Sequence, residues 1–274
     1  MAPTATTDLE LQLLLEAVYR VSGFDFREYA PALLKRRVAE RLRSEDVGTV
    51  SGLQERLLHA PGAMDRFIEA VAHSPSSPFA DPNFFSELRA FVLPRLRTFP
   101  FVRVWIAGCG AGDDAYALAI LFKEAAVGHR VRIYATDAVE GAIERARAGK
   151  LASRELDDYQ ERYAAAGGTR SFQDYIDRAG GEAVYRPSLR ENIVFAQHNI
   201  AVDGSFNEFH LVVMRHVLSH FNRTLAFRAH KVAYESLIRL GILGLGEREN
   251  LRYSPHQRAF EPLVDTDRFY RRVR

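Results

Sequence analysis

The stretch Val102-Arg-Val-Trp-Ile-Ala-Gly-Cys-Gly-Ala-Gly-Asp-Asp-Ala-Tyr116 constrains the fold more than any other part of this 274-residue chain. Its apolar run, Val102, Val104, Trp105 and Ile106, reads as a buried strand. Three alternating glycines follow, Gly108, Gly110 and Gly112, and then Leu118, Leu121 and Phe122 recur at helical spacing. Strand, glycine turn and helix start form the opening unit of a nucleotide-binding α/β domain. Glycine lets the backbone turn tightly and approach a ligand closely.

The residues beside the glycines bear on the ligand. A pyrophosphate favours a helix N-terminus with free N–H groups. Here the helix opens with Asp113 and Asp114, which repel an anion and attract a cation. The dinucleotide pattern also wants glycine where this chain has Asp113. S-adenosylmethionine fits better, because it carries an ammonium and a sulfonium and no phosphate. A second apolar run, Val131 to Asp137, ends in a carboxylate that can accept both ribose hydroxyls of an adenosine cofactor. Taken singly, the glycines are equally consistent with a plain strand end, and Asp137 with the cap of a helix starting at Ala138. Both features at this spacing point to a cofactor site.

Composition narrows the class. A formal charge of +2 gives no electrostatic case for nucleic acid. The single cysteine, Cys109, excludes an internal disulfide and reads as a small turn residue. There is no run of 18 apolar residues and no secretory leader pattern, so a soluble cytoplasmic protein without membrane insertion is expected.

Three segments are expected along the chain: a helical domain over 1–73, a linker with its helix over 74–97, and an α/β domain over 98–274. Residues 1–7 read as disordered. The spacing predicts helices from Asp8 to Ser22, after Pro31, over Val50–Leu58 and over Ala63–Ala72. The helix after Pro31 carries Lys35, Arg36, Arg37 and Arg41, which read either as a solvated face or as a docking face for an acidic protein partner. The Pro- and Ser-rich stretch His73–Pro82 is a linker able to lie across the cofactor pocket, ahead of a helix from Phe84 to Leu96. Beyond Asp137 a helix to Ala148 stops at Gly149, and Tyr159–Ala166 is helical up to Gly167-Gly168. Strands are expected at 183–187, 192–196, 209–214 and 240–246, with a helix over 223–237 and a terminal antiparallel hairpin from 260–264 and 268–273. The alternation implies a mainly parallel sheet covered on both faces.

These residues resemble the chemotaxis receptor methyltransferases, the protein-glutamate O-methyltransferases of the CheR type. The resemblance runs through Asp81-Pro-Asn-Phe-Phe85, Ala107-Gly-Cys-Gly-Ala-Gly-Asp-Asp114, Ala135-Thr-Asp137, Ala146-Arg-Ala-Gly149, Phe195-Ala-Gln-His-Asn199, Met214-Arg-His-Val-Leu-Ser-His-Phe221 and Leu245-Gly-Glu-Arg-Glu249. It implies a class I methyltransferase fold (Rossmann-like) behind an all-helical N-terminal domain that faces the receptor. It implies S-adenosylmethionine as cofactor, with S-adenosylhomocysteine as product. Carried over position by position, the cofactor contacts are Ser74, Ser76, Ala107, Gly108, Gly110, Gly112, Asp113, Asp114, Asp137, Asn199, Ile200, Arg215, His216 and Val217.

The departures cluster at the methyl end. Where the family's linker has arginine after phenylalanine, this chain has Ala80 after Phe79. Ser74 and Ser76 stand for asparagine and threonine, and Asp113-Asp114 for a glutamate pair. His216 replaces an asparagine beside the cofactor, and His220 replaces a tyrosine near the methyl group. Transfer to a carboxylate needs positioning and electrostatic attraction. Two imidazoles can instead take a proton from an amine, hydroxyl or carbon acid, so His216 and His220 are the catalytic candidates. Their four-residue spacing would suit one helical face and zinc, with His73 or His198 as remote third ligands, but no metal is expected. The expected function is a methyltransferase altered in acceptor or activity. The alternatives are a cofactor-binding regulatory module without turnover and an enzyme using S-adenosylmethionine on a small molecule.

Overall fold

The computed structural model describes residues 4–72, 76–179, 181–263, 265 and 267–274. The chain forms two compact units, Met1–His73 with Ser219–Ala226, and Ser74–Leu218 with Phe227–Arg274. Residues 219–226, which the sequence reading put in the 98–274 domain, are thus compact with the helical unit.

The first unit contains helices α1 (Thr4–Ser22), α2 (Pro31–Ser44), α3 (Val50–His59) and α4 (Ala63–Ala72). Helix α1 begins at Thr4 rather than Asp8, so the expected disorder over 1–7 is wrong from residue 4 onward. Neither glycine nor proline occurs between Thr4 and Asp8, and Ala5 favours helix. Pro31 opens α2, and Thr49 caps α3 by accepting the Gly52 N–H at 3.0 Å. Leu14, Val18, Leu34, Val38, Leu53, Leu57, Phe67 and Val71 are buried between the helices. Glu45 accepts guanidinium groups from three of them, Arg41 of α2, Arg56 of α3 at 3.0 Å and Arg66 of α4 at 3.2 Å. The segment 219–226 joins this unit through the backbone: Ala30 N–H donates to His220 O at 2.8 Å, and Tyr29 bridges Phe221.

The second unit starts with the linker and its helix, α5 (Pro82–Glu87), continued by a π turn over Leu88–Val92 and by α6 (Leu93–Leu96). The helix begins at Pro82 rather than Phe84, because the Asp81 carboxylate accepts the Phe84 N–H at 3.2 Å. Pro94 lacks an N–H and disrupts the regular ladder, and ahead of it Leu93 N bonds to Leu88 O. Then come β1 (Val102–Ala107), α7 (Asp113–Glu124), β2 (Val131–Asp137), α8 (Glu140–Ala148), β3 (Lys150–Leu151), α9 (Leu156–Ala165), β4 (Ile176–Ala179), β5 (Glu182–Tyr185), α10 (Pro187–Arg190), β6 (Ile193–Gln197), β7 (Phe209–Met214), α11 (Arg223–Ser236), β8 (Leu237–Leu245), β9 (Phe260–Pro262) and β10 (Phe269–Arg272).

Seven strands form one sheet in the order β6-β2-β1-β7-β8-β10-β9. The first five are parallel, and β10 runs antiparallel to both β8 and β9. Because β1 pairs with β2 on one side and β7 on the other, the strand order reverses there, and the carboxyl ends of β1 and β7 flank the crevice where such sheets bind ligands. Val104, Ile106, Ile133, Leu211 and Val213 share one core with Leu118, Leu121 and Phe122 of α7 and Phe84, Phe85 and Leu88 of the linker helix. Trp105 is buried at β1, its ring stacked on Phe209 and its Nε1–H bonded to Thr136 Oγ1 at 2.9 Å. Strand β8 starts at Leu237, straight from α11, instead of Leu240. A register shift opposite Phe209–Leu211 and a left-handed Leu240 (φ +66) absorb the irregularity. Over 150–190 the sequence predicts one strand where the structure has a three-stranded antiparallel sheet, β3-β5-β4. Two-residue β3 and the Ile-Asp-Arg-Ala of β4 carry too little apolar alternation to be seen alone.

Candidate cofactor-binding site

The glycine turn joins β1 to α7, and its three glycines do different work. Gly108 has φ +71, and a β-carbon there would stand 2.5 Å from Val217 Cγ2. Gly112 has φ +91, and its β-carbon would meet that of Ala146 at 3.0 Å. Both are glycine because neighbours are pressed against them. Gly110, with φ +53, has nothing within 4 Å of where a β-carbon would stand, so space is open beside it.

Asp137 spans the end of β2 and this turn. Its Oδ2 accepts the Gly110 N–H at 3.0 Å and its Oδ1 accepts the Val139 N–H at 3.0 Å. Helix α8 starts only at Glu140, with Val139 at its N-cap position, so Asp137 is no cap residue in the usual sense. Burial raises its pKa, against the backbone N–H groups of Val139, Gly110 and Ala138 that favour the anion. Each oxygen retains acceptor capacity for a hydroxyl.

The adjacent aspartates at the start of α7 are not equivalent. Asp114 Oδ1 accepts Arg215 Nη1 at 2.5 Å, and the Arg215 side chain is 1% exposed. That guanidinium lies over the rings of Phe84 (4.6 Å) and Phe85 (5.3 Å), and its Nε and Nη2 are buried without a hydrogen-bond partner. Asp113 accepts the Ser76 hydroxyl at 2.8 Å, and among the described residues no lysine or arginine pairs with it. Burial pushes its pKa from 3.8 to about 6, with the Ser76 hydrogen bond opposing and Asp114 adding a little. A half-buried carboxyl without its own cation, two orphan guanidinium nitrogens and open space beside Gly110 suit a ligand with an ammonium, a carboxylate and an adenosine. The residues therefore fit S-adenosylmethionine.

The remaining expected residues fall as follows. Ala107 ends β1, buried. Asn199 shapes the turn after β6: its Oδ1 accepts Ala201 N–H at 3.0 Å and its N–H donates to Asp203 at 2.8 Å, with Ile200 buried beside it. Val217 packs on Gly108. His216 sits in the left-handed region, φ +62, and its N–H donates to Glu249. His220 belongs to the helical unit, its ring 6.2 Å from that of Tyr29. The one-face reading of His216 and His220 is corrected: residues 218–220 form a 3-10 turn, His216 lies outside it, and the two histidines belong to different compact units. His198 is occupied with Gly204 O at 2.9 Å, and its ring meets Trp105. Ser74 and His73 lie outside the described residues. Cys109 is buried, with its thiol pushed well above the usual range by burial and by Asp137.

Ala80 is exposed, and the linker around it is anchored. Phe79 is fully buried at φ +55, edge-on to Phe85 (4.9 Å) and Tyr163 (5.4 Å), and Ala80 N–H donates to Ser77 O at 3.1 Å. Arg162 of α9 donates to the Ser77 hydroxyl. One carboxylate escaped notice in the sequence: Glu249, which the resemblance includes without a role.

An open α/β sheet with a glycine turn at its switch point and a carboxylate at the end of the second strand is the architecture of a class I methyltransferase fold. The family model described as CheR methyltransferase, SAM binding domain, matches residues 75–267, and that described as CheR methyltransferase, all-alpha domain, matches residues 9–72. The chain is 42% identical over 272 residues to the protein Cher3 of Pseudomonas putida, covering 99% of this chain and 100% of that one. It is 29% identical over 250 residues to a chemotaxis protein methyltransferase of Listeria monocytogenes, covering 89% and 92%. It is 25% identical over 251 residues to chemotaxis protein methyltransferase 2 of Pseudomonas aeruginosa, covering 90% and 88%. The chain belongs to the CheR methyltransferase family, and its cofactor is S-adenosylmethionine.

Proposed function

We propose that this methyltransferase holds S-adenosylmethionine around Gly110 and methylates a protein acceptor, taking chemoreceptor glutamates poorly or not at all. The bound cofactor supplies a methyl group on a sulfonium. Asp137 accepts the ribose hydroxyls, and Asp113 faces the ammonium with Ser76 in support. Arg215 offers its free N–H groups to the cofactor carboxylate while Asp114 balances its charge. Asn199 and Ile200 line the adenosine side, and His216 and Val217 close the turn above the glycines. A carboxylate acceptor is already ionised and gains nothing from a base, whereas an imidazole such as that of His216 suits an acceptor that must lose a proton.

The observation that carries the acceptor reading is Ala80. Buried Phe79 fixes the linker there, and position 80 presents only a methyl group where the family resemblance implies a guanidinium. Arg162 reaches the same linker but is engaged with Ser77. Losing one charge-assisted contact in a transition state costs about 3 kcal/mol, roughly a hundredfold in rate.

The helical unit supports a protein partner through a narrower set of residues than Lys35, Arg36, Arg37 and Arg41. Lys35 and Arg36 have side chains 57% and 63% exposed, with only surface partners in Asp8 and Glu40. Arg37 and Arg41 are largely covered, at 13% and 15%, and Arg41 is bound to buried Glu45. An acidic partner therefore meets Lys35 and Arg36. Among the described residues no helix is long and apolar enough to cross a membrane, and the cytoplasm is the proposed location.

The test incubates the protein with methyl-labelled S-adenosylmethionine, receptor cytoplasmic fragments and a cell extract, and reads methylated products and S-adenosylhomocysteine by mass spectrometry. We expect turnover on a protein in the extract and slow receptor methylation that rises on combining Ala80→Arg, His216→Asn and His220→Tyr. Ordinary enzymatic rates on receptor glutamates by the unmodified protein would refute the acceptor reading.

A further inference from the structure

Glu249 follows β8 in a tight turn and is 6% exposed. One of its oxygens, Oε2, accepts two backbone N–H groups, from His216 at 2.9 Å and from Gly246 at 3.0 Å. Those residues come just after the paired ends of two neighbouring parallel strands, where Met214 of β7 lies opposite Leu245 of β8. A β-carbon on Gly246 would stand 2.8 Å from the same oxygen and 3.3 Å from His216 N, so the turn closes only around glycine.

His216 gains most from this carboxylate. Its φ of +62 is disfavoured for any residue with a β-carbon. An acceptor fixed on its N–H offsets that preference and keeps the backbone left-handed. The conformation matters because of the residues on either side. Arg215 sends its guanidinium to Asp114 at the start of α7, at 2.5 Å. Val217 lies against Gly108 so closely that a β-carbon there would be 2.5 Å away. The turn at His216 thus sets two walls of the glycine cradle, and a relaxed φ would rotate both away from it.

We infer that Glu249 is a positioning residue of the cofactor site: it clamps the left-handed His216 turn and thereby aims Arg215 and Val217 at the glycine loop. The inference rests on the cofactor site proposed above. The carboxylate itself need not touch the cofactor. Its function is to hold the backbone of one strand end at a fixed angle to its neighbour.

Calorimetric titration of the whole protein with S-adenosylhomocysteine tests this, alongside hydrogen exchange of the peptides spanning residues 214–218 and 244–249. Glu249→Ala should weaken binding roughly tenfold, the order of the left-handed preference released, and expose the His216 and Gly246 amides to exchange. Glu249→Gln keeps an oxygen acceptor and should bind within about threefold of wild type. His216→Gly added to Glu249→Ala should recover most of the lost affinity, because glycine adopts positive φ unaided. A purely structural role for Glu249 would lower thermal stability without that rescue. Glu249→Asp, which draws the oxygen back by one methylene, is expected to fold and lose affinity as the alanine variant does, and it decides the matter if the alanine variant does not fold. Wild-type affinity in Glu249→Asp, or no recovery with glycine at position 216 in whichever variant folds, overturns the inference. Failure of the wild-type protein to bind S-adenosylhomocysteine overturns the site reading beneath it instead.

Discussion

The contact proposed between Asp113 and the cofactor ammonium predicts that cofactor affinity depends on pH. Burial moves this carboxyl from 3.8 to about 6. The shift is equivalent to about 3 kcal/mol, since one unit is about 1.4 kcal/mol. For an acid whose folded pKa is raised, the stability contribution is full below the unfolded value and is lost as pH rises through the folded one. The ligand-free protein therefore forfeits stability between about pH 4 and pH 6 on account of Asp113. An ammonium placed beside the carboxylate removes the need to hold the proton, so binding recovers what ionisation cost. Affinity for S-adenosylhomocysteine should rise about tenfold from pH 5 to pH 7.5 with its bend near pH 6, and level off above. Titration calorimetry at half-unit pH steps measures it, and buffers of different ionisation enthalpy count the proton released below the bend. Asp113→Asn should flatten the profile, bind up to about a hundredfold more weakly at pH 7.5, and melt higher than wild type there, because a buried charge is gone. A wild-type profile that is flat across this range, or an asparagine variant that keeps the slope, would remove Asp113 from contact with the ammonium.

Two further outcomes are expected. Asp137→Ala should weaken cofactor binding by about 1–3 kcal/mol and lower the melting temperature, since the Gly110 and Val139 N–H groups lose their acceptor together with the ribose; calorimetry giving wild-type affinity would take Asp137 out of the site. Lys35→Glu with Arg36→Glu should abolish any salt-sensitive association with an acidic protein at unchanged stability, whereas Arg41→Glu should lower the melting temperature of the helical unit, because it replaces one of Glu45's three cations with a second carboxylate. Binding and thermal melts of the two variants side by side check this, and equal effects on both would refute the division.

The elements readable in advance were those whose pattern is carried by their own residues. Alternating apolar positions announce β1, β2 and β7, Gly149 closes α8 at φ +60, and the Pro31 and Thr49 signals open α2 and α3. The elements that escaped owe their form to partners elsewhere in the chain. Strand β4 exists because it pairs with β5, with Ile176 opposite Tyr185, and the first residues of β8 depend on a bulge opposite Phe209. The carry-over of site positions behaved in the same way. The positions carried over by resemblance include Ser76, Asp113, Asp137 and the glycines, which hydrogen bonds link in pairs here, but they leave Arg215 without the charge partner it has in Asp114, as the basic helix face leaves Arg41 without Glu45.

Asp113 and Asp114 show most directly what a linear reading leaves out. As adjacent residues of one type they read as a single acidic patch that repels a pyrophosphate as a pair. A helical turn separates neighbouring side chains by about 100°, so the two carboxylates meet different elements. Asp114 turns to Arg215, and its charge is spent inside the protein. Asp113 turns to the linker, where Ser76 gives one hydrogen bond and no charge. The net field at the start of α7 is therefore that of one carboxylate whose ionisation is held back by burial, and it is complete only when a cation arrives. A phosphate offers Asp113 no compensating charge, so that carboxyl stays without the cation that would offset its desolvation, whereas an ammonium supplies one while Arg215 keeps its pair with Asp114.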